Sequence, residues 1–300
     1  MARAVLITNP AAARTTAASV QAVGDVFRRA GWRLEVVATV GPGDARRVAA
    51  DAVTVGADVV VVQGGDGTTM QAASALVGTD VALGLIPGGT GNLLAGNLRI
   101  PRVMTRAAQL LVEGRRRRID LGRMDQAHGG TYFSVACGAG VDARVMGETN
   151  SELKRRWGIG AYMATALRVL PEISSFRALV TVDGKEYEAE AAMILVANCG
   201  EVIPPFVRLG HGITPEDGLL DVVVVRGKDA WDTLRAVWQV LSTFPGARGD
   251  GSFVGYARGK EVRIETDVVQ PTELDGDAGG HTPFTAHVVP GAISVLVPPA

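Results

Sequence analysis

From its amino end the chain alternates short aliphatic runs with longer alanine-rich stretches. Val5 to Thr8 is mostly apolar and ends at Asn9-Pro10, Ala17 to Ala30 has helical spacing and stops at Gly31, and Arg33 to Ala38 is a second strand-like run. The cycle continues with a helix over Asp44–Val55, a strand over Asp58–Val62, a helix over Thr69–Val77, a strand over Ala82–Ile86 and a helix over Met104–Glu113. The strand runs are continuously apolar rather than alternating, as in parallel strands buried on both faces. Residues 1–121 therefore read as an α/β domain with three layers around a parallel sheet.

Beyond Leu121 the texture changes. Thr131–Ala136, Arg177–Val182, Ala192–Ala197, Leu220–Val225, Glu261–Glu265 and Ile293–Val297 have the composition of strands, and Asp183-Gly184 is a hairpin signal. Helical stretches interrupt at Gly160–Leu170 and at Ala230–Phe244, where Trp231, Leu234, Trp238 and Leu241 recur at helical spacing. Residues 122–300 are expected to form a mostly antiparallel β-sandwich domain, its last strand being a candidate to pack back on the first domain.

With 300 residues, 47% of them hydrophobic, the chain can build two cores. Its net charge of −1 removes the broad attraction that non-specific nucleic-acid binders use, so DNA and RNA are not expected partners. Cys137 and Cys199 are the only cysteines, which fits a reduced, cytoplasmic setting. The opening MARAVLITNP is too short in apolar residues for a secretory segment, and the stretch Gly67–Leu98 is too broken by glycine to span a membrane. His128, His211, His281 and His287 lack the spacing of a zinc site.

The candidate chemistry lies in two glycine turns. Gly64-Gly65 follows a buried strand, and Thr68 and Thr69 are placed to cap the next helix, whose N-terminus favours an anion. "IPGGTGN", Ile86 to Asn92, repeats the recipe after the next strand, with Thr90 as its hydroxyl. Neither turn is a Walker or dinucleotide fingerprint. Two neighbouring strand ends would thus offer N–H groups to one polyphosphate. Asp66, an acid inside an anion-binding turn, makes sense where a divalent cation lies between it and the phosphates, since Mg²⁺ is commonly held by one or two carboxylates plus substrate phosphates. The simpler alternative is an aspartate that bonds turn backbone N–H groups.

In order along the chain, "GGDGT" (Gly64–Thr68), "PGGTGN" (Pro87–Asn92), "IDLG" (Ile119–Gly122), "EDGLLDV" (Glu216–Val222) and "LDGD" (Leu274–Asp277) resemble the diacylglycerol kinase catalytic-domain family, which includes bacterial lipid kinases and sphingosine kinases. The resemblance implies a first domain like those of NAD kinase and diacylglycerol kinase. It implies ATP bound by Thr39, by the loop Gly64, Gly65, Asp66, Gly67, Thr68, Thr69 and Met70, and by Thr90. It makes Asp275 the general base and gives Asp277, where the family usually has glutamate, a part in organising metal or water. By the same resemblance Asp120 would join the water-mediated magnesium network with Asp66, so that Asp66, Asp120 and Asp275 would surround one cation. A second, structural magnesium is implied at the Asp217 carboxylate with the carbonyls of Thr214 and Leu219. The acceptor is a lipid alcohol, with diacylglycerol leading and a sphingoid base, ceramide or another lipid as alternatives. An NAD kinase-like enzyme and a non-catalytic, nucleotide-responsive lipid-binding module are further readings. "NCGEVIPPFVRLGHG" departs from the family's glycine cluster, which bears on acceptor recognition around Val202–Arg208.

Transient contact with a membrane surface has two candidate carriers. Arg115–Arg118 could attract anionic headgroups, or form a solvated helix end that complements its dipole. Lys154, Arg155, Arg156 and Trp157 precede the helix carrying Tyr162, Met163 and Leu167, a mixture suited to an interface or to a core. Oligomeric state is not legible.

Overall fold

A computed structural model describes residues 2–140, 175–203, 207–209, 212–226 and 254–299. The chain divides into two compact units, one of residues 1–119 with 291–300 and the other of residues 120–290. The helices expected over Gly160–Leu170 and Ala230–Phe244, the basic segment Lys154–Trp157 and Pro204-Pro205 lie outside the described residues.

The first unit alternates β1 (Arg3–Thr8), α1 (Ala17–Arg29), β2 (Arg33–Ala38), α2 (Asp44–Thr54), β3 (Val59–Gly64), α3 (Asp66–Leu76), β4 (Ala82–Pro87), α4 (Leu93–Asn97) and α5 (Met104–Glu113). Its parallel sheet runs β2-β1-β3-β4 and then takes in residues 291–297, the carboxyl part of β18 (Phe284–Val297). Every residue of β3 and β4 is buried, which follows from their uninterrupted aliphatic sequence and the helices that cover them, α1 with α5 and α2 with α3. α1 starts where Thr16 and Ser19 satisfy each other's backbone N–H groups in a capping box.

The second unit is antiparallel. One sheet runs β14 (Val254–Gly259), β13 (Leu220–Val225), β10 (Met193–Ala197), β7 (Ala136–Gly140), β16 (Pro271–Leu274), β17 (Asp277–His281). The other joins the amino part of β18 to β15 (Glu261–Thr266), β8 (Phe176–Val182) and β9 (Lys185–Ala191). β5 (Arg115–Gln126) pairs with β6 (Gly129–Phe133), and β11 (Glu201–Ile203) with β12 (Val207–Arg208). Phe133, Phe176, Ile194, Val222, Ile264 and Phe284 meet in one buried cluster drawn from both sheets. Each fully buried side chain of this kind contributes about 1.5–3 kcal/mol. Asp183-Gly184 makes the expected hairpin, both residues at positive φ. The thiols of Cys137 and Cys199 are buried, and burial raises the pKa of each.

Four local expectations need correction. α3 begins at Asp66, three residues before Thr69, with Gly65 at its N-cap and no side-chain cap bond. Thr68 and Thr69 therefore sit inside the first turn, and Thr68 Oγ1 accepts from Asn9 Nδ2 at 2.8 Å instead of capping. Arg115–Arg118 is not a helix end; it opens strand β5, where Arg116 donates to the carbonyls of Asp80 and Asp58 and Arg118 to that of Gly291. The run Thr131–Ala136 is not one strand but breaks at Ser134-Val135, between β6 and β7, for a reason given below. α4 was not expected, because its five residues are too few to show a period.

Candidate functional site

In the first unit, two glycine turns touch at the carboxyl ends of β3 and β4. The amides of Gly88 and Gly89 donate to the Gly64 carbonyl at 2.8 and 3.1 Å. A Cβ on Gly89 would lie 2.5 Å from the Cα of Gly65, and one on Gly88 would lie 2.6 Å from Thr15 Oγ1. These glycines thus permit close backbone approach; none of the three needs an unusual φ. Asn92, at φ 52°, closes the second turn: its Oδ1 accepts from the Gly89 amide at 2.9 Å and its Nδ2 donates to the Gly89 carbonyl at 2.7 Å. Asn9 ties the β1–α1 loop to the same place through Thr68.

Asp66 fastens the two turns to each other. Its Oδ2 accepts from the Asn92 amide at 2.7 Å and its Oδ1 from the Leu93 amide at 2.6 Å, so the carboxylate caps α4 while sitting at the start of α3. Both helix N-termini favour the negative charge. The N–H groups of Gly67, Thr68, Thr90 and Gly91 make no hydrogen bond among the described residues, and those of Gly67 and Thr68 stand at the N-terminus of α3, where a phosphate would be held. Thr90 is exposed, Met70 is half-buried, and Thr39 is half-buried at the end of β2, its amide on the Thr8 carbonyl at 2.8 Å.

In the second unit, Asp275 occupies the left-handed first position of the β16–β17 hairpin, at φ 48°, followed by Gly276 at 87°. This bend, typical of Asp-Gly hairpins, aims the carboxylate at the break between β6 and β7. There Oδ2 accepts from the amide and the hydroxyl of Ser134, at 2.7 and 2.8 Å, and Oδ1 from the amides of Val135 and Ala136, at 2.7 and 3.1 Å. The strand breaks because three successive amides turn to one anion. Burial raises the pKa of Asp275 above the ordinary carboxylate value, and the four donors oppose that rise.

Asp120 is buried near the start of the same unit. Its amide donates to the Pro215 carbonyl at 2.7 Å and its Oδ2 accepts from the Gly218 amide at 2.8 Å, which secures the "TPEDG" turn. On that turn Asp217 Oδ1 accepts from the Leu219 amide at 3.1 Å, and Oδ2 lies 3.4 Å from the guanidinium of Arg258, which also grips Asp221 through two bonds of 2.9 Å. Burial raises the Asp217 carboxyl pKa and Arg258 opposes it. Asp277 is exposed on β17, opposite Leu274.

Among the described residues no three His, Cys, Asp or Glu side chains converge as a metal site. The donors that are present, carboxylate and carbonyl oxygens, suit a hard divalent cation completed by water and substrate oxygens. An ion on Asp217 with the carbonyls of Thr214 and Leu219 would share that carboxylate with Arg258. Sequence reasoning missed Asn92, Ser134 and Asn198. Asn92 carried a signal, an asparagine closing a glycine turn, and Asn198 opens the quoted segment "NCGEVIPPFVRLGHG"; the partners of Asn198 and Ser134 carried none, being remote in sequence.

Residues 3–124 match the model of the diacylglycerol kinase catalytic domain, and residues 135–297 match that of the YegS C-terminal NAD kinase beta sandwich-like domain. A diacylglycerol kinase of Mycobacterium tuberculosis is 32% identical over 305 residues, covering 97% of this chain and 94% of its own. A protein of Chromohalobacter salexigens named "Probable lipid kinase YegS-like" is 29% identical, over 93% of this chain and 88% of its own. A crystal structure of a diacylglycerol kinase from Bacillus anthracis superposes with a TM-score of 0.78 at 21% identity, covering 99% and 97% of the two chains, and supports the fold. Motif order, paired domain matches and full-length similarity agree, and the chain belongs to the diacylglycerol kinase catalytic-domain family of lipid kinases.

Proposed function

We propose that this chain transfers the γ-phosphate of ATP to the hydroxyl of diacylglycerol, giving phosphatidic acid. The observation that carries the reading is the pair of locked turns with the uncommitted amides of Gly67 and Thr68 at the start of α3. Phosphoryl transfer depends on placement and charge neutralisation, and rigid backbone donors supply the first. Thr39, the loop Gly64 to Met70, and Thr90 contact the nucleotide. Magnesium, when bound, would neutralise phosphoryl charge; Asp66 and, through water, Asp120 are the carboxylates assigned to it, with Asp277 ordering water, while Asp275, whose acceptor sites are filled by protein donors, serves as the base. Asp217 with the Thr214 and Leu219 carbonyls is assigned a structural ion.

Asp275 takes the proton from the lipid hydroxyl. Burial favours the protonated form, while the Ser134, Val135 and Ala136 donors keep the carboxylate accessible. A carboxylate has about four acceptor sites, and all four are engaged. Of the four donors the Ser134 hydroxyl alone can rotate, so it yields its place on Oδ2 to the proton. The protein acts from the cytoplasm in transient contact with a membrane surface.

The test is incubation of purified protein with MgATP and a panel of lipids in mixed micelles, with mass detection of phosphorylated species. Phosphatidic acid is the expected product. A phosphorylated sphingoid base or ceramide in its place would correct the acceptor, and phosphorylation of NAD alone, or of nothing, would overturn the reading.

A further inference from the structure

The side chain of Asn198 follows the last residue of β10 and is almost wholly buried, with 1% exposure. Its Nδ2 donates to two carbonyls at once, that of Asp120 at 3.0 Å and that of Ser134 at 2.8 Å. Its own amide donates to the Val135 carbonyl at 2.8 Å, joined there by the Cys199 amide at 3.1 Å. Cys199 Sγ adds a weak bond to the Ser134 carbonyl at 3.3 Å. Residues 134–136 are the segment whose amides cradle Asp275. The carbonyls of Ser134 and Val135 are therefore held by Asn198 and Cys199, that of Ala136 by the Asp275 amide, and the amides of the three residues hold the acid. The Asn198 Oδ1 finds no hydrogen-bond partner among the described residues, so the polar contacts of this carboxamide there are the two that its Nδ2 makes.

We propose that Asn198 is a positioning residue for phosphoryl transfer: a single buried carboxamide sets the backbone of Asp120 and the peptide cradle of Asp275 in fixed relation. The proposal rests on the lipid-kinase reading for the roles of the two acids. Its physical content, a carboxamide that stiffens residues 134–136, is independent of that reading. No other side chain in the described residues donates to both segments.

Asn198→Ala and Asn198→Ser are compared with the wild-type chain by residue-resolved amide hydrogen exchange and by steady-state kinetics with MgATP and diacylglycerol. Exchange at Val135 and Ala136 is expected to rise by about tenfold or more while that of Thr69 and Gly88 stays constant, as local opening confined to one segment requires. The kcat is expected to fall by roughly 10–100-fold, the cost of misplaced catalytic groups, with the KM for ATP within about twofold of wild type. Unchanged exchange at Val135 and Ala136, a kcat within about twofold of wild type, or equal losses in kcat and nucleotide affinity would overturn the proposal. Where Asn198→Ala does not fold, Asn198→Ser, which keeps one donor, is judged by the same measurements. If the wild-type chain phosphorylates no lipid, the kinase reading falls, and the exchange result still decides whether Asn198 holds the cradle.

Discussion

Replacing Asp66 by asparagine tests the lock between the two turns. The carboxylate receives two short, charge-assisted bonds, from the amides of Asn92 and Leu93. Asparagine has one acceptor oxygen, so one amide keeps a weaker partner and the other meets an NH₂ group, donor against donor. Hydrogen bonds to a charged group are worth about 1.5–3 kcal/mol each, and losing one while weakening the other amounts to about 2–4 kcal/mol. α4, five residues long, loses the cap on its first turn. Two compact units need not melt together, so the loss is to be read on the thermal transition that MgATP is expected to raise in the wild-type chain. Asp66→Asn should lower that transition and weaken MgATP binding by at least about tenfold, which is about 1.4 kcal/mol. If stability stays within about 0.5 kcal/mol of wild type, the range of an inconsequential surface change, the lock is not what the geometry says.

Other outcomes follow from the same geometry. Gly89→Ala would place a Cβ 2.5 Å from the Cα of Gly65, a backbone atom that cannot swing aside, so the turns must separate, costing about 1–3 kcal/mol and the MgATP affinity measured by calorimetry. Asp275→Asn should eliminate turnover and leave MgATP affinity near wild type; retained turnover would mean that another group takes the proton. Because burial raises the pKa of Asp275 above 3.8, the rate should climb with pH through a midpoint above that value. The same shift makes the folded state bind more protons than the unfolded one, so this group's contribution to stability falls as pH rises from 3.8 through the raised folded value. A pH–rate profile without an acid limb above 3.8 would contradict the assignment. Chelation of divalent ions should abolish lipid phosphorylation and added Mg²⁺ restore it; undiminished turnover in chelator would remove the metal from the account.

The parallel sheet was legible because burial on both faces leaves a direct mark, as in the runs Val59–Val62 and Ala82–Ile86. The ordered motifs then located the two glycine turns and the acids Asp66, Asp120 and Asp275. What the acids touch was not legible. Asp66 meets amides 26 and 27 residues away and Asp275 meets amides about 140 residues away, pairings that depend on how turns and sheets bring the chain together. The arginines of 115–118 misled for a similar reason. Local charge suggested a helix end, whereas the guanidinium groups of Arg116 and Arg118 satisfy carbonyls distant in sequence. Helix α3 starts early because glycine, not a hydroxyl residue, stands at its N-cap.

Backbone amide chemical shifts followed by NMR during titration with MgATP bear most directly on where the nucleotide tail is held. The largest changes should fall on Gly67, Thr68, Thr90 and Gly91, the donors left unengaged at the two turns. Saturating shifts confined to other segments, with these four amides unmoved, would contradict the account.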